Sequence, residues 1–490
     1  MKKKVISYFR TARRSHRAVT CAAVTATAFA LLGAGLPAPG PLGVGDRLFP
    51  ALGNPGYDVR AYDISFDYGG DNTVPLQAST AIDARVTEPG GLARFNLDFA
   101  VGTVHSVRVN GLPAGHRGAG EDLVVTPALP VPWGASLHVE VRHTSPTESG
   151  ATGGWVRTKD GLAMANQADA AHRVFPGSDH PSDKADFTFR ITAPRKLSVT
   201  AGGLLTGRER RGDDTVWTYR LAHPMATELA QVSIGRSAVA RHSGPHGLPL
   251  RDVVPRADRA ILEPWLAKTP GQLSWMERRV GGYPFETYGL LVADATTGFE
   301  LETQTLSMFE RELFVSTSFA TWYKESVMVH ELAHQWFGDS VTPHRWDDLW
   351  LSEGHATWYE WLYGAERGGP SPLSRARDAY EKSDTWRKQY GTPARLHPAN
   401  PGNKTDIFRK SVYDGSAVVL YALREKIGTD AFARLQREWV ARHRDGNAST
   451  ADYISLVNEV SGQDLTRFLK DWLYGEKTPP MPGETGWRSR

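Results

Sequence analysis

The stretch His330-Glu331-Leu332-Ala333-His334-Gln335-Trp336-Phe337-Gly338, running on through DSVTPHRWDDLWLSE to Glu353, decides how the rest of the chain is read. On a helix each residue turns by about 100°, so residues four apart share a face, and the imidazoles of His330 and His334 can reach one metal ion. Glu331 lies one step round, beside the metal but angled away, where it can hold a water molecule instead of ligating. The preceding run, 322–329, contains no Gly or Pro and is good helix material; Gly338 then offers a stop and Pro343 blocks easy continuation.

A third protein ligand must come from another element. Glu353 follows after a helix break, and the acidic pair Asp347 and Asp348 suits the N-terminus of a second helix through capping and the macrodipole. Packed antiparallel to the first helix, that second helix returns Glu353 to the two histidines. Two His and one Glu, with one position left open, form the ligand set of a catalytic zinc site rather than a closed structural one. One zinc per chain is therefore expected on His330, His334 and Glu353. The only cysteine is Cys21, so the body of the protein has neither disulfides nor thiolate ligands. Glu360, on the same helical face as Glu353, is a reserve ligand. His355, two positions after Glu353, points to the opposite side, and His344 in the turn is read as structural.

At 490 residues the chain has room for two to four domains, and 40% hydrophobic with 23% charged residues describe a globular protein. Lys2, Lys3, Lys4, Arg10, Arg13, Arg14 and Arg17 precede an Ala-rich apolar run, 18–36, and then Pro37-Ala38-Pro39-Gly40. That order is a basic region, an apolar region and a small-residue cleavage zone, so residues 1–38 read as a signal peptide, or an anchor if uncleaved, of a secreted protein. Its removal takes away seven positive charges and no negative ones, turning the formal +3 into −4, so no nucleic-acid surface is expected. No later segment has the roughly 18 consecutive apolar residues of a membrane span.

From residue 53 to 235 the hydrophobic period is two: Tyr62, Ile64, Phe66; Phe95, Leu97, Phe99; Leu137, Val139, Val141; Phe187, Phe189, Ile191; Trp217, Tyr219, Leu221. Asn110-Gly111 is a hairpin turn signal. Short strands between Gly and Pro clusters predict an antiparallel β sandwich or saddle over 50–240. Residues 238–249 read as a linker. Helical spacing follows around Ile261, Trp265, Leu266, Leu273, Trp275 and Met276, with a strand over 288–292. Residues 368–404 are polar and rich in Gly, Pro, Lys and Arg, and helical text resumes at Ser411. A catalytic domain is expected over 245–478, with a C-terminal tail over 479–490.

The segment HELAHQWFGDSVTP…WDDLWLSEGHATW resembles the gluzincin aminopeptidases of peptidase family M1, the aminopeptidase N and leukotriene hydrolase group. Eighteen residues separate His334 from Glu353, the family spacing, although Ser352 stands where the family usually has Asn. The resemblance implies an α+β multidomain fold, an N-terminal β domain followed by a mainly α-helical, thermolysin-like catalytic domain. By that resemblance the chain is expected to be a short form without the family's long C-terminal helical domain. The resemblance further implies a monomeric zinc aminopeptidase that acts on peptides with a free N-terminus, with Glu331 as general base. SVYDGSAVVLYALREKIG is similar to the family's V-Y-x-x-G-A-x-V-L run, which makes Tyr413 the stabiliser of the oxyanion. FPGSDHPSDKADFTFRI, residues 175–191, resembles a P-x-x-D-x-P segment and places Gln167 where the family carries a Gln or Glu reaching into the site. Residues 297–304 occupy the place of the family's G-A-M-E-N strand, keeping Gly298 and a Glu but neither the Met nor the Asn. Glu302 aligns with the family's amine-binding Glu; Glu300, expected on the same strand face, is its rival. Against the aminopeptidase stand a thermolysin-type endopeptidase, an epoxide hydrolase on the same scaffold, and a non-catalytic peptide-binding homologue.

Overall fold

A computed structural model describes residues 42–147, 153–400, 404–484 and 486–489; the expected signal or anchor, 1–38, lies outside them. The period-two stretches are strands. An eight-stranded sheet runs in the order Leu204–Arg211, Asp214–Arg220, Asp186–Pro194, Tyr57–Asp67, Leu76–Val86, Ser136–Ser145, Val104–Val109, Leu112–Pro113. Its inward face follows the alternation: Ile191 and Phe189 lie opposite Trp217 and Tyr219, and Val107 and Val109 opposite Val141 and Val139. Asn110 and Gly111 turn the last hairpin with φ of 49° and 80°, the left-handed conformations that a tight hairpin turn requires.

The sheet departs from an all-antiparallel expectation at one place. Tyr57–Asp67 pairs in parallel with Asp186–Pro194, which sets Tyr62, Ile64 and Phe66 beside Phe187, Phe189 and Ile191. Parallel neighbours need a crossover of about a dozen residues or more, and the long intervening chain supplies it. Within that chain lie a three-stranded sheet and part of a second layer, the sheet Ser198–Ala201, Val232–Gly235, Gly161–Ala165, Gly154–Thr158. Phe66 of the large sheet meets Trp155 of the smaller one edge to face, with ring centroids 5.2 Å apart, and one buried core joins the layers.

Residues 238–249, expected as a linker, form a β hairpin instead. Ser237–Ser243 pairs antiparallel with Pro249–Pro255, and the Gly, Pro and His residues that read as linker make its tip. The second strand carries buried Leu250, Val253 and Val254 and continues in parallel to Leu290–Ala293 and then Ser307–Glu310. The expected strand over 288–292 is thus shifted, with Tyr288 in a lone bridge to Leu250.

The remainder is mainly helical: α1 (Arg259–Leu266), α2 (Thr269–Val280), α3 (Arg311–Val315), α4 (Thr321–His334), α5 (Trp350–Glu366), α6 (Pro372–Tyr390), α7 (Asp414–Ile427), α8 (Thr429–His443), α9 (Thr450–Ser461) and α10 (Thr466–Tyr474). The polar stretch 368–404 contains α6, whose apolar stripe is too narrow to stand out. Ser371 caps it by accepting the Ser374 N–H, Pro372 opens it, Gly391 (φ 90°) ends it, and only Ala376, Ala379, Tyr380, Ser383 and Arg387 are buried. The final residues pack as well: the Trp487 ring lies 5.5 Å from Tyr380 and 6.1 Å from Tyr421. No helix among the described residues is long and apolar enough to cross a membrane.

Candidate metal centre and cleft

Helices α4 and α5 run antiparallel: Gly338, just beyond α4, approaches Ser352, His334 meets Glu353, and Ser326 faces Gly364. The expected cap on α5 is not what Asp347 and Asp348 provide. Asp347 pairs with Arg47, while Asp348 accepts the Thr450 N–H (2.8 Å) and hydroxyl (2.6 Å) at the start of α9. Acidic residues near a helix start satisfy any nearby donor, and here the donors are Arg47 and the first residue of α9.

Glu353 Oε2 lies 3.3 Å from His330 Nε2 and 3.4 Å from His334 Nε2. That oxygen is buried and accepts no hydrogen bond among the described residues. Tetrahedral zinc with bonds of about 2.0–2.2 Å separates its ligand atoms by about 3.3–3.6 Å, so these three atoms fit the ion. The electrostatics agree. Against the upward pull of burial, the facing imidazoles of His334 and His330 hold the Glu353 carboxyl down at about 2. Burial opposes a charge on His334 as well, yet Glu302 and Glu353 lift it to about 8. The pocket is thus built for positive charge.

The His334 imidazole is held from behind. The Ser352 hydroxyl donates to the Phe337 carbonyl (2.9 Å), so its oxygen accepts Nδ1–H of His334 at 2.8 Å. With the proton on Nδ1, the Nε2 lone pair of His334 faces the metal position. The Ser that departs from the family pattern is therefore the orienting partner of a ligand. Gly338 makes room for it: its φ is 134°, and a Cβ there would come within 2.4 Å of Ser352 Oγ. Glu360, the reserve ligand, stands instead on the far nitrogen of His330, with Oε2 3.2 Å from Nδ1, and Arg375 holds its other oxygen at 3.2 Å. His355 stacks on Phe337 with 4.4 Å between ring centroids, and burial pushes its pKa down to about 3.

Glu331 sits beside the donor set, with burial lifting its carboxyl to about 8. A carboxylate oxygen of Glu331, one of Glu302 and a ring nitrogen of His334 all lie within 4.8 Å of one another. Tyr413 stands at the N-terminal boundary of α7, its ring centroid 5.9 Å from that of His330. Burial and the nearby Glu353 raise its phenol well above the usual range, so it stays protonated and able to donate.

Gln167 and Glu302, far apart in sequence, are joined by a 2.6 Å hydrogen bond from Nε2 of Gln167 to Oε1 of Glu302. The segment around Glu302 is not the expected strand. Only Leu301 bridges to a neighbour, Met308, and Glu300 does not share the environment of Glu302. Glu300 Oε2 accepts the Glu310 N–H at 2.6 Å, and Gly298 forms an exposed left-handed turn (φ 83°) whose N–H binds Glu310 Oε1. What holds Glu302 is Gln335, which sequence reading passed over. Its Nε2 donates to the Glu302 carbonyl (2.9 Å) and to Asp339 Oδ2 (2.7 Å), while its Oε1 accepts Thr305 N–H (2.9 Å) and Tyr283 OH (3.0 Å). A buried glutamine directly after a metal-ligating histidine was the available signal.

A cleft of about 650 Å³ opens over this centre, lined by Gly298, Phe299, Glu300, Tyr323, His330, Glu331, Arg375, Lys410 and Tyr413 among others. A larger hollow of about 920 Å³, beside Lys159, Asp160 and Arg236, contains none of these groups. The chemistry belongs to the smaller one.

Residues 266–472 match the family model for the peptidase family M1 domain. Aminopeptidase N of Streptomyces lividans is 26% identical over 448 residues, covering 85% of this chain and 50% of that protein. Leucyl aminopeptidase of Saccharolobus solfataricus is 23% identical over 334 residues, covering 64% of this chain and 41% of that one. The chain thus spans about half the length of these curated relatives or less. Among solved structures, an M1 zinc metallopeptidase from Deinococcus radiodurans is 27% identical with a TM-score of 0.76, covering 90% of this chain and 100% of that one. A mutant M1 zinc metallopeptidase bound to a Tyr-Ser-Ala substrate, from the same organism, is 27% identical with a TM-score of 0.75, covering 90% and 99%. A β-sheet region followed by a helical region around an H-E-x-x-H and Glu donor set defines a zinc metallopeptidase fold. Over residues 266–472 the chain is similar to peptidase family M1, and zinc is the cofactor its donor set fits.

Proposed function

We propose that the protein is a zinc-dependent aminopeptidase that removes the N-terminal residue of peptides. The observation that carries this reading is the Gln167–Glu302 pair beside the metal donor set. A carboxylate and an amide oxygen next to the reacting centre are the partners a free α-ammonium needs. Zinc held by His330, His334 and Glu353 supplies Lewis acidity toward the scissile carbonyl. Glu331 takes the proton of the attacking water and delivers it to the leaving amine. The Tyr413 hydroxyl donates to the developing oxyanion.

The test is release from free and from N-acetylated amino-acid amides, each with and without a chelator. Cleavage of free amides alone, abolished by the chelator, is expected. Equal cleavage of both identifies an endopeptidase, and cleavage of neither identifies a non-catalytic peptide binder. The basic and apolar N-terminal segment supports export, which N-terminal sequencing of the extracellular protein tests: a start near residue 38 is expected.

A further inference from the structure

We infer that the cleft beyond the metal centre selects peptides with lysine or arginine immediately after the scissile bond, and that Glu300 reads this side chain. The direction in which the peptide lies rests on the aminopeptidase reading. With the α-amine at Glu302 and Gln167, the N-terminus sits near His334 and Gln335, the C-terminal end of α4. The cleft then follows α4 backwards past Glu331, Val327 and Tyr323. At about 1.5 Å per helical residue, His334 to Tyr323 spans roughly 16 Å, room for about five extended residues at roughly 3.3 Å each. The residue after the scissile bond therefore lies just beyond Glu331, where Glu300 is.

The charges there are unbalanced. Glu300 is fixed by the Glu310 N–H on Oε2, and its Oε1 takes no hydrogen bond among the described residues. The charged groups that bear on it, Glu331 and Glu310, are both negative, and burial first and these neighbours second raise its carboxyl to about 8. On the other wall the cations are already committed, Arg375 to Glu360 and Asp414, and Lys410 to Asp414. A cationic side chain entering the cleft favours the ionised form of this carboxyl, which releases its proton to solvent and pairs with it; an anionic one meets no uncompensated cation. Phe319 and Tyr323, with ring centroids 5.6 Å apart, add aromatic faces for a long aliphatic stem and its charged head. This gives Glu300 a role separate from that of Glu302, which alone of the two pairs with Gln167.

The experiment uses the zinc-loaded Glu331→Gln protein, so that binding is read without turnover. Calorimetric affinities are compared for Leu-Lys-Ala, Leu-Ala-Ala and Leu-Glu-Ala, with acetyl-Leu-Lys-Ala as control. The lysine peptide should bind at least about tenfold more tightly than the glutamate peptide. Adding Glu300→Gln, which keeps an acceptor for the Glu310 N–H, should collapse that ratio, and Glu300→Lys should reverse it. Free peptides that bind without regard to their second residue, or a lysine preference that survives both substitutions, overturn the inference while leaving the aminopeptidase reading in place. An acetylated peptide that binds as well as the free one overturns that reading and the inference with it.

Discussion

The two walls of the cleft are built in opposite ways. The metal wall is two regular helices, and its side chains are placed by helical periodicity: His330 and His334 one turn apart, Ser352 and Glu353 adjacent, Glu360 two turns further on. The facing wall, 294–305, has almost no regular structure and is held by side chains from elsewhere, Gln167, Gln335 and Glu310, and by its own Thr305 hydroxyl, which accepts the Gly203 N–H. Thr305 itself sits at φ 67°, an uncommon conformation for a β-branched residue. A wall made of helices fixes a metal to within tenths of an ångström; a wall made of long-range hydrogen bonds leaves room for substrate preference to change.

If this contrast is right, substitutions on the metal wall should abolish function, and those on the facing wall should retune it. Glu353→Ala or His334→Ala should bring bound zinc from one per chain to near none in metal analysis, and activity with it. Glu331→Gln should keep zinc and fold while turnover falls by about 10²–10⁴. Tyr413→Phe should lower turnover by about 10²–10³ with near-normal substrate affinity, read from kcat and KM separately. On the facing wall, Glu302→Ala removes one charge-assisted contact of about 1.5–3 kcal/mol, so kcat/KM for free peptides should fall roughly 10–150-fold with zinc retained. A Glu302→Ala protein that loses its zinc would erase the distinction between the walls. The smallest effect is expected behind the metal: Ser352→Ala leaves His334 Nδ1–H only the Phe337 carbonyl at 3.1 Å, and zinc affinity should drop about tenfold in a competition titration with a chelator.

Some misreadings share one cause. The 238–249 hairpin and helix α6 both looked irregular because their evidence is distributed. The hairpin shows its buried residues only on its second strand, and α6 buries five of its residues along a polar surface. Glu360 shared a helical face with Glu353 and so looked like a ligand. Which nitrogen of His330 it approaches depends on the ring's orientation between two helices, which periodicity does not fix.

What the sequence by itself determined is the metal donor set and the alternation of the β region. Both follow from local geometry: a helix places i and i+4 on one face, and a strand places i and i+2 on one side, whatever surrounds them. Glu353 needed only a helix break and an antiparallel return, the simplest packing for consecutive helices. The tertiary structure alone decided which carboxylate meets Gln167, because that contact joins residues 135 positions apart through a segment with no periodicity to read. It also decided that Gln335 carries the Glu302 backbone and that Glu300 is left facing the cleft without a cation. Hydrogen bonds between distant irregular segments depend on where whole sheets and helices come to rest, and no short stretch of residues encodes that position.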